Sequence, residues 1–109
     1  MTFALLIHFW VAAFAGDMYT SHYIQVHCPV CVEKQFPFRN QRPRFGSFLA
    51  ASLALDLANV VPSSIAVHNK RKWVRVVGYI GLSYAVGNRA AGTIHNIHFW
   101  DTLPGQYKR

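Results

Sequence analysis

The stretch His27-Cys28-Pro29-Val30-Cys31 holds both cysteines of the chain. Thiolates three residues apart can share one metal ion, and a Cys-Pro-x-Cys turn is half of a zinc knuckle. The other half would be His95 and His98, which share a face three positions apart on a helix. Cys28, Cys31, His95 and His98 would then close a tetrahedral Cys₂His₂ zinc site. Two readings compete with it: a disulfide, if that side of the chain meets an oxidising compartment, and two free thiols packed in a loop. No histidine follows Cys31 directly, which argues against covalent c-type haem attachment. His8 sits in Ile7-His8-Phe9-Trp10, a tetrapeptide that recurs as Ile97-His98-Phe99-Trp100. A histidine there could ligate haem iron or a chlorophyll magnesium. No second histidine stands at matching depth, so bonding to a backbone carbonyl is the simpler role. The aromatic pairs read as packing and interfacial anchors.

A second constellation is Asp17, Asp56, Asn59, Asn88 and Arg89. All five lie inside long apolar runs. A charge isolated in hydrocarbon costs several kcal/mol, so such residues face a bundle interior and pair. Arg89 is therefore expected to pair with Asp56 or Asp17. A proton path or polar binding site is one reading. An ion pair that fixes helix register, or that another subunit completes, is the other. The structural role is favoured, because no Asp/Glu/His chain extends the cluster into a relay. No nucleophile–base pair, glycine-rich phosphate loop or carboxylate dyad is visible, so an independent enzyme is not expected.

The elements that must position these groups follow from composition. The 109 residues suffice for one domain, 1–109, and are 52% hydrophobic but only 14% charged. Soluble domains are roughly 25% charged. Three runs, about 2–24, 46–67 and 74–100, are each long enough to cross a bilayer as helix. The expected fold is all-α: three transmembrane helices with one long ordered loop between the first two. The first run lacks a basic leader, and it has no A-x-A-like cleavage site with a soluble domain after it, so a removed signal peptide is not expected. Pro62 should kink the second helix. Small residues at spacing four, Ala50/Ala54/Ala58 and Ser83/Gly87/Ala91, form stripes that let helices approach closely in lipid.

Net charge is +7. A small basic nucleic-acid binder would share that charge, but the bases flank the apolar runs instead of lining one face, so no nucleic acid is expected. Arg39, Arg42 and Arg44 lie on the loop side; Lys70, Arg71 and Lys72 crowd the short turn. Either group would meet anionic lipid headgroups or acidic partner surfaces. With both sides basic, counting charges leaves the orientation undetermined.

Ala15-Gly16-Asp17-Met18-Tyr19-Thr20, a Pro-containing loop, an Ala-rich second helix, a Lys/Arg turn and a last helix with Gly87-Asn88-Arg89-Ala90-Ala91-Gly92-Thr93-Ile94-His95-Asn96 follow in order. The chain thus resembles small bacterial three-helix membrane proteins of unknown function. The matching positions are Asp17, Thr20 and Asn96; the Glu-x-Asn-Pro loop of many such proteins is lacking. The resemblance implies topology alone. The leading expectation is a small integral membrane accessory or structural subunit. It would pack against larger subunits and lipids in a membrane protein complex, an energy-transducing one by its size and aromatic content. The bilayer would be a bacterial inner or organellar inner membrane. The alternatives are a membrane-embedded metal or redox module built on Cys-x-x-Cys and His-x-x-His, and a small transporter or channel component using Asp17, Asp56 and Arg89.

Overall fold

The computed structural model of the chain describes residues 2–33, 38 and 41–109. Within these, α1 spans Thr2–His27, α2 spans Phe45–Val67 and α3 spans Lys72–Thr102, followed by a 3₁₀ turn over Gly105–Tyr107. The fold is all-helical, as expected. The helices run longer than the apolar segments alone suggest: α1 continues to His27 and α3 begins at Lys72. Polar residues at a helix end still satisfy their backbone groups by helix, whatever their hydropathy.

Phe3 packs edge-on against His68 at one end of the bundle, with ring centroids 4.8 Å apart. Tyr23 meets Trp100 at the other, at 5.2 Å. Hence α1 and α3 run parallel and α2 antiparallel. Both outer helices lean on α3, and α1 scarcely touches α2. The long axis measures 56 Å, which exceeds the roughly 40–45 Å of a bilayer with its headgroups.

The close contacts are made by glycines. A Cβ on Gly78 would stand 2.7 Å from the Ser63 carbonyl oxygen and 2.7 Å from the Val67 nitrogen. A Cβ on Gly92 would meet the Asp17 carboxylate at 2.8 Å, and one on Gly16 would meet Thr93 Oγ1 at 3.1 Å. The expected stripes do not mediate packing within the chain: Ala50, Ala54, Ala58, Ser83, Gly87 and Ala91 turn outward, and the glycines of α3 that face α2 are instead Gly78 and Gly81. Spacing identified a helical face correctly but not which way that face points.

Burial departs from that of a water-soluble domain: ions and serines share the interior with Trp10, Met18, Phe48, Val60 and Leu82. Asp17, Ser21, Ser52, Asp56, Ser63 and Arg89 are buried, while Leu5, Val11, Leu55, Val61, Ile65 and Ile80 are exposed. Helices α1 and α2 each contain an 18-residue window long and apolar enough to span a membrane, with only 17% and 22% of its residues buried. The core helix of a soluble protein would be mostly buried. Pro62 lies exposed within α2.

At the loop end, Cys28 and Cys31 form a disulfide, packed with Ile24 against Phe99, Trp100 and Leu103. Arg42 ties the loop to α1. Its Nη1 donates to the carbonyls of Cys28 and Cys31, and its Nη2 to the carbonyl of Gln25. Glu33 and Gln41 pair as an isolated bridge. The tail closes the same end: the Arg109 N–H donates to the His27 carbonyl at 2.7 Å, and Lys108 Nζ lies 5.0 Å over the Trp100 ring. Arg39 lies outside the described residues.

Candidate functional site

Midway along the bundle the three helices meet at Arg89. Its guanidinium grips Asp56 through two nitrogens, Nη2 to Oδ1 at 2.6 Å and Nε to Oδ2 at 2.9 Å. Nη1 donates to Asp17 Oδ2 at 2.8 Å, and Nη2 also reaches the Ser52 carbonyl at 3.3 Å. One cation on α3 thus joins carboxylates on α1 and α2. Arg89 pairs with both aspartates, where a single partner was expected. Its planar fork makes this feasible, since three donor nitrogens point in different directions.

The surrounding groups complete the network. Trp10 Nε1 donates to Asp56 Oδ2 at 2.7 Å, so this indole is a fixed part of the core and not a lipid anchor. The Phe14 ring centroid lies 5.0 Å from Arg89 Cζ. Asn96 Nδ2 donates to Asp17 Oδ1 at 3.1 Å, with Thr20 Oγ1 at 2.9 Å and Ser21 Oγ at 3.0 Å as further acceptors. Thr20 in turn donates to the Gly16 carbonyl at 2.8 Å. Asp17, Thr20 and Asn96, the positions on which the resemblance rests, therefore meet in one hydrogen-bonded knot. Arg89, Asp17 and Asp56 are 4%, 0% and 9% exposed, and among the described residues no buried side-chain nitrogen or oxygen lacks a hydrogen-bond partner. Desolvated ions hold together only when their bonding capacity is met in this way.

Of the five polar residues expected together, the structure unites three. Asn59 stands one turn away from Asp56, donating to the Gly81 carbonyl at 2.9 Å and accepting from Ser63 Oγ at 3.1 Å; it bridges α2 to α3. Asn88 turns outward and is exposed. Adjacent residues on a helix diverge by about 100°, so Asn88 cannot share the inward direction of Arg89. Asn96 and Trp10 were missed as members of the network. The signal available for Asn96 was its presence in the resemblance; the signal for Trp10 was its place within a turn or two of Asp17 on α1.

An open groove of about 540 Å³ lies between α2 and α3, lined in part by Asp56, Asn59, Tyr84, Asn88, Arg89 and His95. A smaller cavity of about 100 Å³ near the loop includes Ser21, Cys31, Glu33, His95 and Asn96. His95 borders both. The expected Cys₂His₂ zinc site is not assembled: the disulfide consumes both thiolates, and His98 is exposed. A disulfide sulfur is no substitute for thiolate as a zinc ligand. His8 Nδ1 donates to the Ala4 carbonyl at 2.6 Å, a bond within its own helix.

Outside the network, the side chains of Arg42 and Arg75 hold backbone carbonyls. In the turn, Arg75 Nη1 donates to the carbonyls of Asn69 and Lys70, and the Arg71 N–H donates to Asn69 Oδ1. Lys70, Arg71, Lys72 and Arg44 remain exposed. Trp73 is exposed in the first turn of α3. Searches against protein-family models, curated proteins and solved structures find no match to this chain.

Proposed function

We propose that the chain is a non-catalytic integral membrane subunit whose three helices all cross the bilayer and whose outer faces meet lipid and larger protein partners. The observation that carries this reading is the distribution of burial: an ion network and serines share the interior with a small apolar core, while many Leu, Val and Ile side chains are exposed along the helices. Hydrocarbon stabilises that arrangement and water opposes it. Helix α3 supports the reading because its central Arg89 is matched within the bundle by Asp17 and Asp56, which removes the charge that would keep it from lipid. A bacterial inner or organellar inner membrane suits such a protein, and an energy-transducing complex is the setting we favour.

The disulfide adds an orientation. Disulfides persist in oxidising compartments, so the loop and the C-terminal tail face the extracytoplasmic or intermembrane side. The short turn with Lys70, Arg71, Lys72 and Arg75 then faces the cytoplasm or matrix; the loop side is basic too, so this orientation rests on the disulfide. The test is affinity purification in mild detergent followed by mass spectrometry. A stable set of co-purifying membrane subunits supports the proposal; protein recovered in the salt- and carbonate-extractable fraction overturns it. After mild reduction, a membrane-impermeant maleimide should label Cys28 and Cys31 from the outer side only.

A transporter or channel component is the second reading, and the groove that reaches Asp56 and Arg89 favours it. Asp56→Asn that assembles normally yet abolishes a proton or ion flux would establish it. Loss of assembly in that variant favours the subunit.

A further inference from the structure

We infer that the turn between α2 and α3 holds one anionic phospholipid, its phosphate on Lys70, Arg71 and Lys72 and an acyl chain along Trp73, Val76 and Val77. The inference rests on the membrane reading above and names a lipid for it. Lys70, Arg71, Lys72 and Arg75 stand close together in the sequence. Every acid of the chain lies elsewhere. Asp17 and Asp56 belong to the ion network, and Glu33 and Asp101 lie at the loop end. Lys70, Arg71 and Lys72 are exposed. Among the described residues, their side chains have no hydrogen bond or ion pair.

The turn is fixed before any ligand arrives. Arg75 Nη1 donates to the carbonyls of Asn69 at 3.0 Å and Lys70 at 2.9 Å, and the Arg71 N–H donates to Asn69 Oδ1 at 2.9 Å. Arg75 therefore holds the backbone that presents the other three cations. A ligand need not order that backbone, which removes one cost of binding. The loop end differs. There Arg42 grips three carbonyls, and Lys108 lies over the Trp100 ring. Both ends are basic in sequence, but the three adjacent cations without partners are at the turn.

The surface beneath those cations selects a lipid. An open groove of about 610 Å³ is lined by Lys72, Trp73, Val76 and Val77. Trp73, Val76, Val77 and Ile80 are all exposed, and their helical spacing puts them in one apolar strip. From Trp73 to Ile80 the strip runs about 10 Å along the helix axis. An acidic peptide or a free phosphate would match the charges and leave this strip uncovered. A phospholipid matches both, with its anionic head at Lys72 and a tail beside the valines. An indole at that boundary suits the headgroup layer. In the orientation proposed above the turn faces the cytoplasm or matrix, and a cytoplasmic leaflet carries a negative surface potential.

The experiment is native mass spectrometry of the full chain, released from detergent micelles with added dioleoylphosphatidylglycerol or dioleoylphosphatidylcholine. One phosphatidylglycerol should stay bound per chain, and phosphatidylcholine should bind more weakly by a factor of roughly ten or more. Each cation near an anionic headgroup contributes roughly fivefold, so Lys70→Gln with Lys72→Gln should weaken phosphatidylglycerol roughly twentyfold. Arg44→Gln, exposed at the other end, should change nothing. Trp73→Ala, which removes one wall of the groove at an exposed position, should also lose bound lipid. Equal retention of the two lipids, or unchanged affinity in the double lysine variant, overturns the inference. So does recovery from native membranes of an acidic polypeptide in place of the lipid, lost in that same variant. Binding of inorganic phosphate alone, with Trp73→Ala without effect, would show a free-anion site and overturns it as well. Chain recovered in the carbonate-extractable fraction would instead sink the membrane reading. Integral chain that keeps no phosphatidylglycerol sinks this inference alone, so the two failures are distinguishable.

Discussion

Replacing Arg89 by methionine keeps an unbranched side chain of similar reach and removes the cation. Asp17 and Asp56 would then face each other's surroundings with no positive charge between them. Arg89 makes three charge-assisted bonds to the two carboxylates. At about 0.6–1.7 kcal/mol for each polar contact between membrane helices, their loss amounts to roughly 2–5 kcal/mol. Removing one partner from a buried ion pair costs about 3–5 kcal/mol by a separate route, so the two estimates overlap. Against a total stability on the order of 5–15 kcal/mol, Arg89→Met should leave a partly unfolded population. The assay is reversible unfolding in dodecylmaltoside with rising dodecylsulfate, followed by tryptophan fluorescence, since Trp10 bonds to Asp56. The triple variant Asp17→Asn, Asp56→Asn, Arg89→Met carries no uncompensated charge and should recover more than half of the loss. If Arg89→Met unfolds within about 0.5 kcal/mol of the parent, a margin smaller than one such contact, the network does not hold the helices and the structural argument fails.

Two glycines should respond in opposite directions. Gly78→Ala forces a Cβ against two backbone atoms of α2 and should destabilise by about 1–3 kcal/mol. Gly87→Ala meets nothing in the chain and should stabilise the detergent-solubilised monomer by up to about 1 kcal/mol; the same unfolding titration reads both. Trp10→Phe keeps the ring contact with Phe14 but removes the N–H that reaches Asp56, and should cost about 1.5–3 kcal/mol. An unchanged midpoint in that variant would show that the indole serves packing alone.

The sequence made the centre of the site legible because charges are scarce in it. Arg89 and two aspartates at similar distances along apolar runs left few alternatives for pairing, and the structure joins all three. What spacing could not supply was azimuth. Ser83/Gly87/Ala91 and Gly78/Gly81 both satisfy a small-residue pattern, and only the crossing of α2 over α3 decides which one faces inward. Asn88 illustrates the same gap: one residue from Arg89 in the chain, it is turned about 100° away and is exposed. The cysteines were ambiguous for a different reason. Metal ligation depends on whether His95 and His98 approach the loop, which the order of residues does not determine. The loop bends toward α1 under Arg42, and the sulfurs join each other.

The placement of Arg89 on the last helix has a consequence for biogenesis. In the proposed membrane setting Asp17 and Asp56 enter the bilayer before their shared counter-ion exists, and α1 offers Asp56 the Trp10 N–H while otherwise scarcely touching α2. A nascent or truncated chain that stops short of α3 would there hold two acids without their arginine. In that setting α3 is the element that completes the charge balance of the other two.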